Sequence, residues 1–89
     1  MRIETLYFGD LRNITGHARQ EITLGDGASL QDLLEELLLA YGEAFLKTLD
    51  LGNSHVILIN GQHHGIFQGM ETPLKDGDRI VFLPVTMGG

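Results

Sequence analysis

Cysteine is absent from this 89-residue chain. Disulfides and thiolate metal sites are therefore excluded as a means of holding a small domain together, and no nucleophilic thiol can act here. Basic residues are scarce as well: six Lys and Arg stand against twelve Asp and Glu, a formal charge of −6. A duplex binder must neutralise phosphates with a basic face, so no nucleic-acid partner is expected. An acidic chain suits instead a protein partner that offers a basic surface, since opposite charges speed encounter. Long apolar runs are missing too. No stretch approaches the roughly 20 residues that span a bilayer, and Met1-Arg2-Ile3-Glu4 lacks the apolar core of a signal peptide. The expectation is a cytoplasmic protein that makes no membrane contact.

What the chain does have is enough for one small core. A hydrophobic content of 43% and a mean hydropathy of +0.04 fit a folded domain rather than a disordered one. Residues 3–8 are rich in β-formers and end at Gly9, which predicts a first strand. Residues 10–16 allow a turn or two of helix, with Asp10 placed as a cap and Gly16 as a stop. Residues 19–24 alternate polar and apolar side chains, as a half-buried second strand does.

The strongest local signal follows. Leu30, Leu33, Leu34, Leu37 and Leu38 fall at i, i+3, i+4, i+7 and i+8, the apolar stripe of one helix. Ser29 stands where an N-cap belongs, Asp32 puts a carboxylate in the first turn, and Gly42 is placed to end the helix in the left-handed conformation. Residues 43–50 predict a shorter helix with Phe45, Leu46 and Leu49 turned inward. Residues 56–59 form a β-branched run, read as a strand buried on both faces or nearly so. Asn60-Gly61 is the preferred type I′ pair, so residues 62–67 are expected to return as an antiparallel partner. Residues 72–78 are a turn-rich link, and residues 79–83 the last strand. Pro84 marks where ladder pairing must weaken, and nothing after it has an evident means of packing.

An early hairpin, a helix and then more strands define an α+β fold with the helix on one face of the sheet. The first and last strands can lie side by side in parallel at the centre. That arrangement is the ubiquitin-like β-grasp, a mixed sheet of about five strands with one main helix. The expected domain runs over residues 1–85, followed by a flexible diglycine tail over residues 86–89.

Gly88-Gly89 closes the chain. With 12 glycines in 89 residues, a given dipeptide is Gly-Gly roughly once in fifty by composition (12/89 squared), so the pair alone means little. Its position only a few residues past a strong final strand gives it weight. Two residues without Cβ make a thin thread that can enter a narrow channel and end in an exposed carboxylate. Such a thread suits carboxyl activation: an acyl-adenylate formed from ATP makes the Gly89 carbonyl attackable, and a sulfur donor then leaves a thiocarboxylate. Catalytic side chains would belong to the partners, which accords with the lack of a catalytic constellation in this chain.

"LYFGDLRNITG" near the start, "LINGQ" in the middle and "PLKDGDRIVFLPVTMGG" at the end together resemble the small subunit family of molybdopterin synthase, over essentially the whole chain. The resemblance implies a β-grasp fold, activation by an E1-like adenylyltransferase that uses ATP, and conversion of Gly89 to a thiocarboxylate with Gly88 as its access. It implies sulfur donation to a pterin precursor inside the large subunit of molybdopterin synthase, with no cofactor bound by the small chain itself. Carried over by position, Phe8 and Leu83 are candidates for the apolar patch that docks on that subunit, with Pro84 and Met87 beside it. Arg12, on the short helix, is a partner contact or a solvated charge. The sequence departs from the family in having one proline, Pro84, and then Val85-Thr86-Met87 before the diglycine.

Other constellations carry little. Adjacent histidines on a strand point to opposite faces, so His63 and His64 are not expected to share a metal ion. Asp76 and Asp78 lack the further oxygens that a calcium loop needs. The glycine-rich pieces match neither a P-loop nor a dinucleotide fingerprint. Three other readings of the tail stand beside the first: a protein modifier joined to lysines through Gly89, a sulfur carrier of the thiamin pathway, and a β-grasp domain that binds partners without using its terminus.

Overall fold

The computed structural model describes residues 1–50 and 53–85. Their elements run β1 (Arg2–Leu6), α1 (Gly9–Thr15), β2 (Arg19–Thr23), α2 (Leu30–Tyr41), α3 (Glu43–Leu49), β3 (His55–Ile59), β4 (Gln62–His63) and β5 (Arg79–Pro84), with 3-10 turns at His64–Ile66 and Gly69–Glu71. The five strands form one mixed sheet in the order β2-β1-β5-β3-β4. β1 and β5 run parallel at its centre, with Glu4 opposite Arg79 and Leu6 opposite Val81, while the other pairs are antiparallel. The first and last strands thus meet as the sequence requires.

Period-2 burial builds the core side of the sheet from Ile3, Thr5, Ile57, Ile59, Ile80 and Phe82, all nearly inaccessible. α2 covers it with Leu30, Leu33, Leu34 and Leu37, each contributing roughly 1.5–3 kcal/mol by leaving water. Leu38, at the edge of the same stripe, is only half-buried. The helix opens with a capping box: the Ser29 side chain accepts from the Asp32 N–H, and the Asp32 carboxylate accepts from the Ser29 N–H at 2.8 Å. Its N-terminus is also pinned to the link before β5, where the Leu30 N–H donates to the Thr72 carbonyl and the Leu74 N–H to the Ala28 carbonyl, both at 2.9 Å.

The Asp76-Gly77-Asp78 turn sets β5 in register. Asp76 Oδ1 accepts from the Arg2 N–H at 2.7 Å, and Asp78 accepts from the Lys75 N–H at 2.8 Å and from Asn60 Nδ2 at 3.0 Å. Asn60 Oδ1 in turn accepts from the Arg79 N–H at 2.9 Å. The acidic turn is therefore a clasp between β1, the β3–β4 hairpin and β5. Asn60 and Gly61 have φ of 51° and 86°, the left-handed pair that a type I′ turn demands.

Several local expectations are corrected. β1 stops at Leu6 instead of continuing to Phe8, because Phe8 is already the N-cap of α1. Asp10 does not cap; it lies in the first turn, where its charge still favours the helix dipole. Gly42 has φ 79° and ψ −174°, a positive-φ extended conformation rather than the left-handed helical one, and it serves both as the end of α2 and as the N-cap of α3. Leu46 is 38% exposed, whereas Phe45 and Leu49 are buried. β3 is buried on one face only: Val56 and Leu58 on its other face are half-exposed. The hairpin return pairs over Gln62–His63 alone. There the His63 imidazole accepts from the Gly65 N–H at 2.9 Å and rolls the chain into a 3-10 turn. For the same reason His63 and His64 do not face apart: their rings stack with centroids 4.7 Å apart.

Candidate functional site

Tyr7 and Phe82 define the end of the central strand pair from which the chain runs on to its terminus. Their rings stack 5.7 Å apart and within 3° of parallel, and Phe45 of α3 meets both edge-on at 6.0 and 5.6 Å. Such offset and edge-to-face contacts suit the quadrupoles of the rings. The Tyr7 hydroxyl donates to Gln20 Oε1 at 2.9 Å, and Tyr41 donates to the same oxygen at 2.9 Å. Thr5 Oγ1 lies 2.9 Å from the Tyr7 hydroxyl as a donor. Burial pushes the Tyr7 phenol up to about 12; the Thr5 bond opposes this and Tyr41 adds slightly to it. Sequence reading missed the bridging role of Gln20, since a glutamine in an alternating strand looks like any half-exposed polar position.

One residue beyond each stacked ring stand Phe8 and Leu83, 41% and 38% exposed. Alternation turns both away from the core. On the outer face of the sheet Leu83 lies opposite Val56, and Val81 lies between Leu58 and Leu6, all three of these strand neighbours being half-buried. The result is a continuous apolar strip at one end of the outer face. At the other end charges take over: Glu4 accepts from Arg79 Nε at 2.6 Å and lies 3.4 Å from Arg19 Nε, and Arg2 lies 3.8 Å from Glu21. These exposed pairs contribute little stability, about 0–1 kcal/mol each, and their main effect is to bound the apolar strip.

Pro84 is exposed and lies opposite His55 in the ladder. Even-numbered residues of β5 face β1, as the bond from the Glu4 N–H to the Asp78 carbonyl shows. The N–H that Pro84 lacks would therefore point past the end of β1, so no ladder bond is lost. On the other side pairing continues: the Val85 N–H donates to the Ser54 carbonyl at 2.8 Å. Val85, expected to lack any means of holding on, is thus fixed to the sheet while its side chain stays 37% exposed. Arg12 is exposed in the last turn of α1, where a cation favours the helix dipole, and it makes no ion pair among the described residues. Met87, Gly88 and Gly89 lie outside the described residues.

Phe8, Leu83 and Pro84 are thus brought to one end of one surface, with Arg12 on the helix that begins beside Phe8. Among the described residues there is no group of three or more His, Asp or Glu placed to hold a metal ion, and no helix is long and apolar enough to cross a membrane. The fold is the ubiquitin-like β-grasp. The ThiS family model matches residues 5–89, and the chain belongs to that family of ubiquitin-like sulfur carriers. It is similar to the molybdopterin synthase sulfur carrier subunit of Chlamydomonas reinhardtii, with 34% identity over the full length of both chains. It is also similar to small archaeal modifier protein 3 of Haloferax volcanii, at 29% identity, again covering both chains completely. Among solved structures, the complex of subunits 1 and 2 of the molybdopterin-converting factor from Helicobacter pylori contains a chain that matches over the full length of both, with a TM-score of 0.66 and 26% identity.

Proposed function

We propose that this chain carries sulfur on Gly89 for the synthesis of molybdopterin. The observation that carries the reading is the end-to-end similarity to a molybdopterin synthase sulfur carrier subunit, in a chain whose last two residues are Gly88-Gly89. An E1-like adenylyltransferase joins the Gly89 carboxylate to the AMP moiety of ATP, releasing pyrophosphate. A sulfur donor then attacks the activated carbonyl, AMP departs, and the C–O bond to the phosphate is replaced by C–S. The thiocarboxylate is the better nucleophile: its sulfur bonds to a carbon of a pterin precursor in the large subunit of molybdopterin synthase. Water then cleaves the acyl C–S bond, leaving sulfur on the precursor and restoring the Gly89 carboxylate. The chain itself binds no cofactor; ATP is held by the activating partner, and the reaction belongs to the cytoplasm, where ATP is at hand.

The apolar strip around Phe8 and Leu83 supports a docking role, because exposed apolar surface bounded by polar residues marks protein interfaces. Pro84 and Val85 lead the chain out at the edge of that strip. The four residues beyond Val85 reach at most about 14 Å, a length suited to inserting Gly89 into a partner's channel while Gly88 passes its neck. Met87 and Arg12 are further contacts with the partner in this reading. Deleting Gly88-Gly89 tests it: synthase activity reconstituted with the large subunit is expected to vanish while binding to that subunit persists. Unchanged synthase activity would refute the role of the terminus.

A second reading, conjugation of Gly89 to lysines of target proteins, is favoured by the full-length similarity to small archaeal modifier protein 3. It predicts high-mass conjugates that disappear with the two glycines.

A further inference from the structure

On the helical side of the molecule, across the sheet from the Phe8–Leu83 strip, a groove of about 390 Å³ runs between α2, α3 and the 3-10 turn at Gly69–Glu71. Its volume falls within the roughly 300–1,000 Å³ typical of built binding pockets. Leu38, Leu46, Leu49 and Met70 line it, and Glu35 and Asp50 stand on its rim. Leu46 forms one wall: the apolar pattern of α3 would bury this residue, yet it stays 38% exposed. Burying that wall against a partner would remove apolar surface from water that folding leaves wet.

Charge identifies the occupant. The segment from Leu30 to Asp50 holds Asp32, Glu35, Glu36, Glu43 and Asp50 against Lys47 alone, which is −4 of the chain's −6. Lys47 is itself 3.9 Å from Glu43 and so adds little free positive field. A second copy of this chain would bring two such acidic surfaces together, at the cost that like charges impose. We propose that the groove docks a basic segment of a partner protein, seating one or two of its aliphatic side chains between lysines or arginines that face Glu35 and Asp50. Because the groove and the Phe8–Leu83 strip lie on different faces, the carrier can be held through its helices while the sheet face and the terminus engage a synthase or an activating enzyme. This inference goes beyond the sulfur-carrier reading and does not depend on it.

The test is a titration of the isotope-labelled full chain with a short synthetic peptide bearing two leucines four residues apart, flanked by lysines and arginines. The control has glutamates in place of the basic residues. The basic peptide is expected to give saturable NMR shifts at Leu38, Leu46, Leu49 and Met70, to bind more weakly as salt rises, and to leave Phe8 and Leu83 unmoved. Leu46→Asp and, separately, Glu35→Lys are each expected to weaken it about tenfold or more. Neither side chain belongs to the buried core, so both variants are expected to fold, and a circular-dichroism melt checks it. The proposal is overturned if the groove residues show no saturable shift, or if the acidic peptide binds equally well. It is overturned as well if both variants bind undiminished, or if the same residues shift with protein concentration alone, which would mean self-association. None of these outcomes touches Gly89, so failure here and failure of the sulfur-carrier reading are separately visible.

Discussion

Tyr7 and Phe82 stack in parallel, offset planes across the parallel centre of the sheet, their ring planes within 3° and their centroids 5.7 Å apart. The stack fixes how the two strands end together. With both rings committed to the core, the residues that follow them, Phe8 at the N-cap of α1 and Leu83 on β5, emerge on the outer side. A packing contact thus determines which apolar groups stay exposed at that edge.

Charged substitutions at that edge are expected to act on binding and spare the fold. Phe8→Asp and Leu83→Asp should each weaken association with the molybdopterin synthase large subunit by about tenfold or more, as loss of an apolar anchor does. Isothermal titration checks this, and thermal melts of the two variants should fall only modestly because both side chains lie outside the core, 41% and 38% exposed.

Asp78 is expected to matter for stability rather than chemistry. Its carboxylate accepts from the Lys75 N–H and from Asn60 Nδ2, tying the turn before β5 to the β3–β4 hairpin. Asp78→Ala should cost about 1–2 kcal/mol in urea unfolding, the loss of two hydrogen bonds at a partly solvated site.

Gly42 joins α2 to α3 at φ 79° and ψ −174°, where side chains other than hydrogen are strained. Nothing crowds the space where a Cβ would sit, so the penalty is conformational rather than a clash. Gly42→Ala is expected to lower stability by about 1–3 kcal/mol, with the midpoint of denaturation falling while the slope is unchanged.

The raised phenol of Tyr7 gives an alkaline signature. Its pKa in the fold, about 12, lies above the ordinary value of 10.0, so the native state holds the proton longer than the unfolded chain does. The stabilisation is complete below pH 10 and is lost as pH rises toward 12, with a slope of at most about 1.4 kcal/mol per pH unit. Unfolding curves across that range should show the decline, and Tyr7→Phe should flatten it.

Much of this architecture is legible in the sequence because its strongest signals are periodic. The leucine stripe of α2, the alternation of β2 and the Asn60-Gly61 turn each specify a local geometry, and the structure contains all three. What escaped reading depends on tertiary partners. The His63 imidazole diverts the hairpin return by capping Gly65, which no pattern of hydrophobicity reveals. Leu46 faces a groove because α2 and α3 leave a gap, not because its own sequence position is unusual. The candidate site was legible in part: Phe8, Leu83 and Pro84 do gather at one end of the sheet, whereas the Gln20 bridge behind them appears only once Tyr7 and Tyr41 are placed. The expected terminal chemistry rests on Gly88-Gly89 and on family resemblance, and these residues lie outside the described part of the structure.

The central claim is that Gly89 is the sulfur-bearing group, and intact-mass measurement of the chain tests it most directly. After incubation with the E1-like adenylyltransferase, ATP and a sulfur donor, the account predicts a species heavier by the exchange of one oxygen for one sulfur. That mass should localise to the C-terminal peptide and be absent when ATP is withheld. A chain whose mass is unchanged under those conditions, or whose added sulfur maps to any residue other than Gly89, would contradict the account.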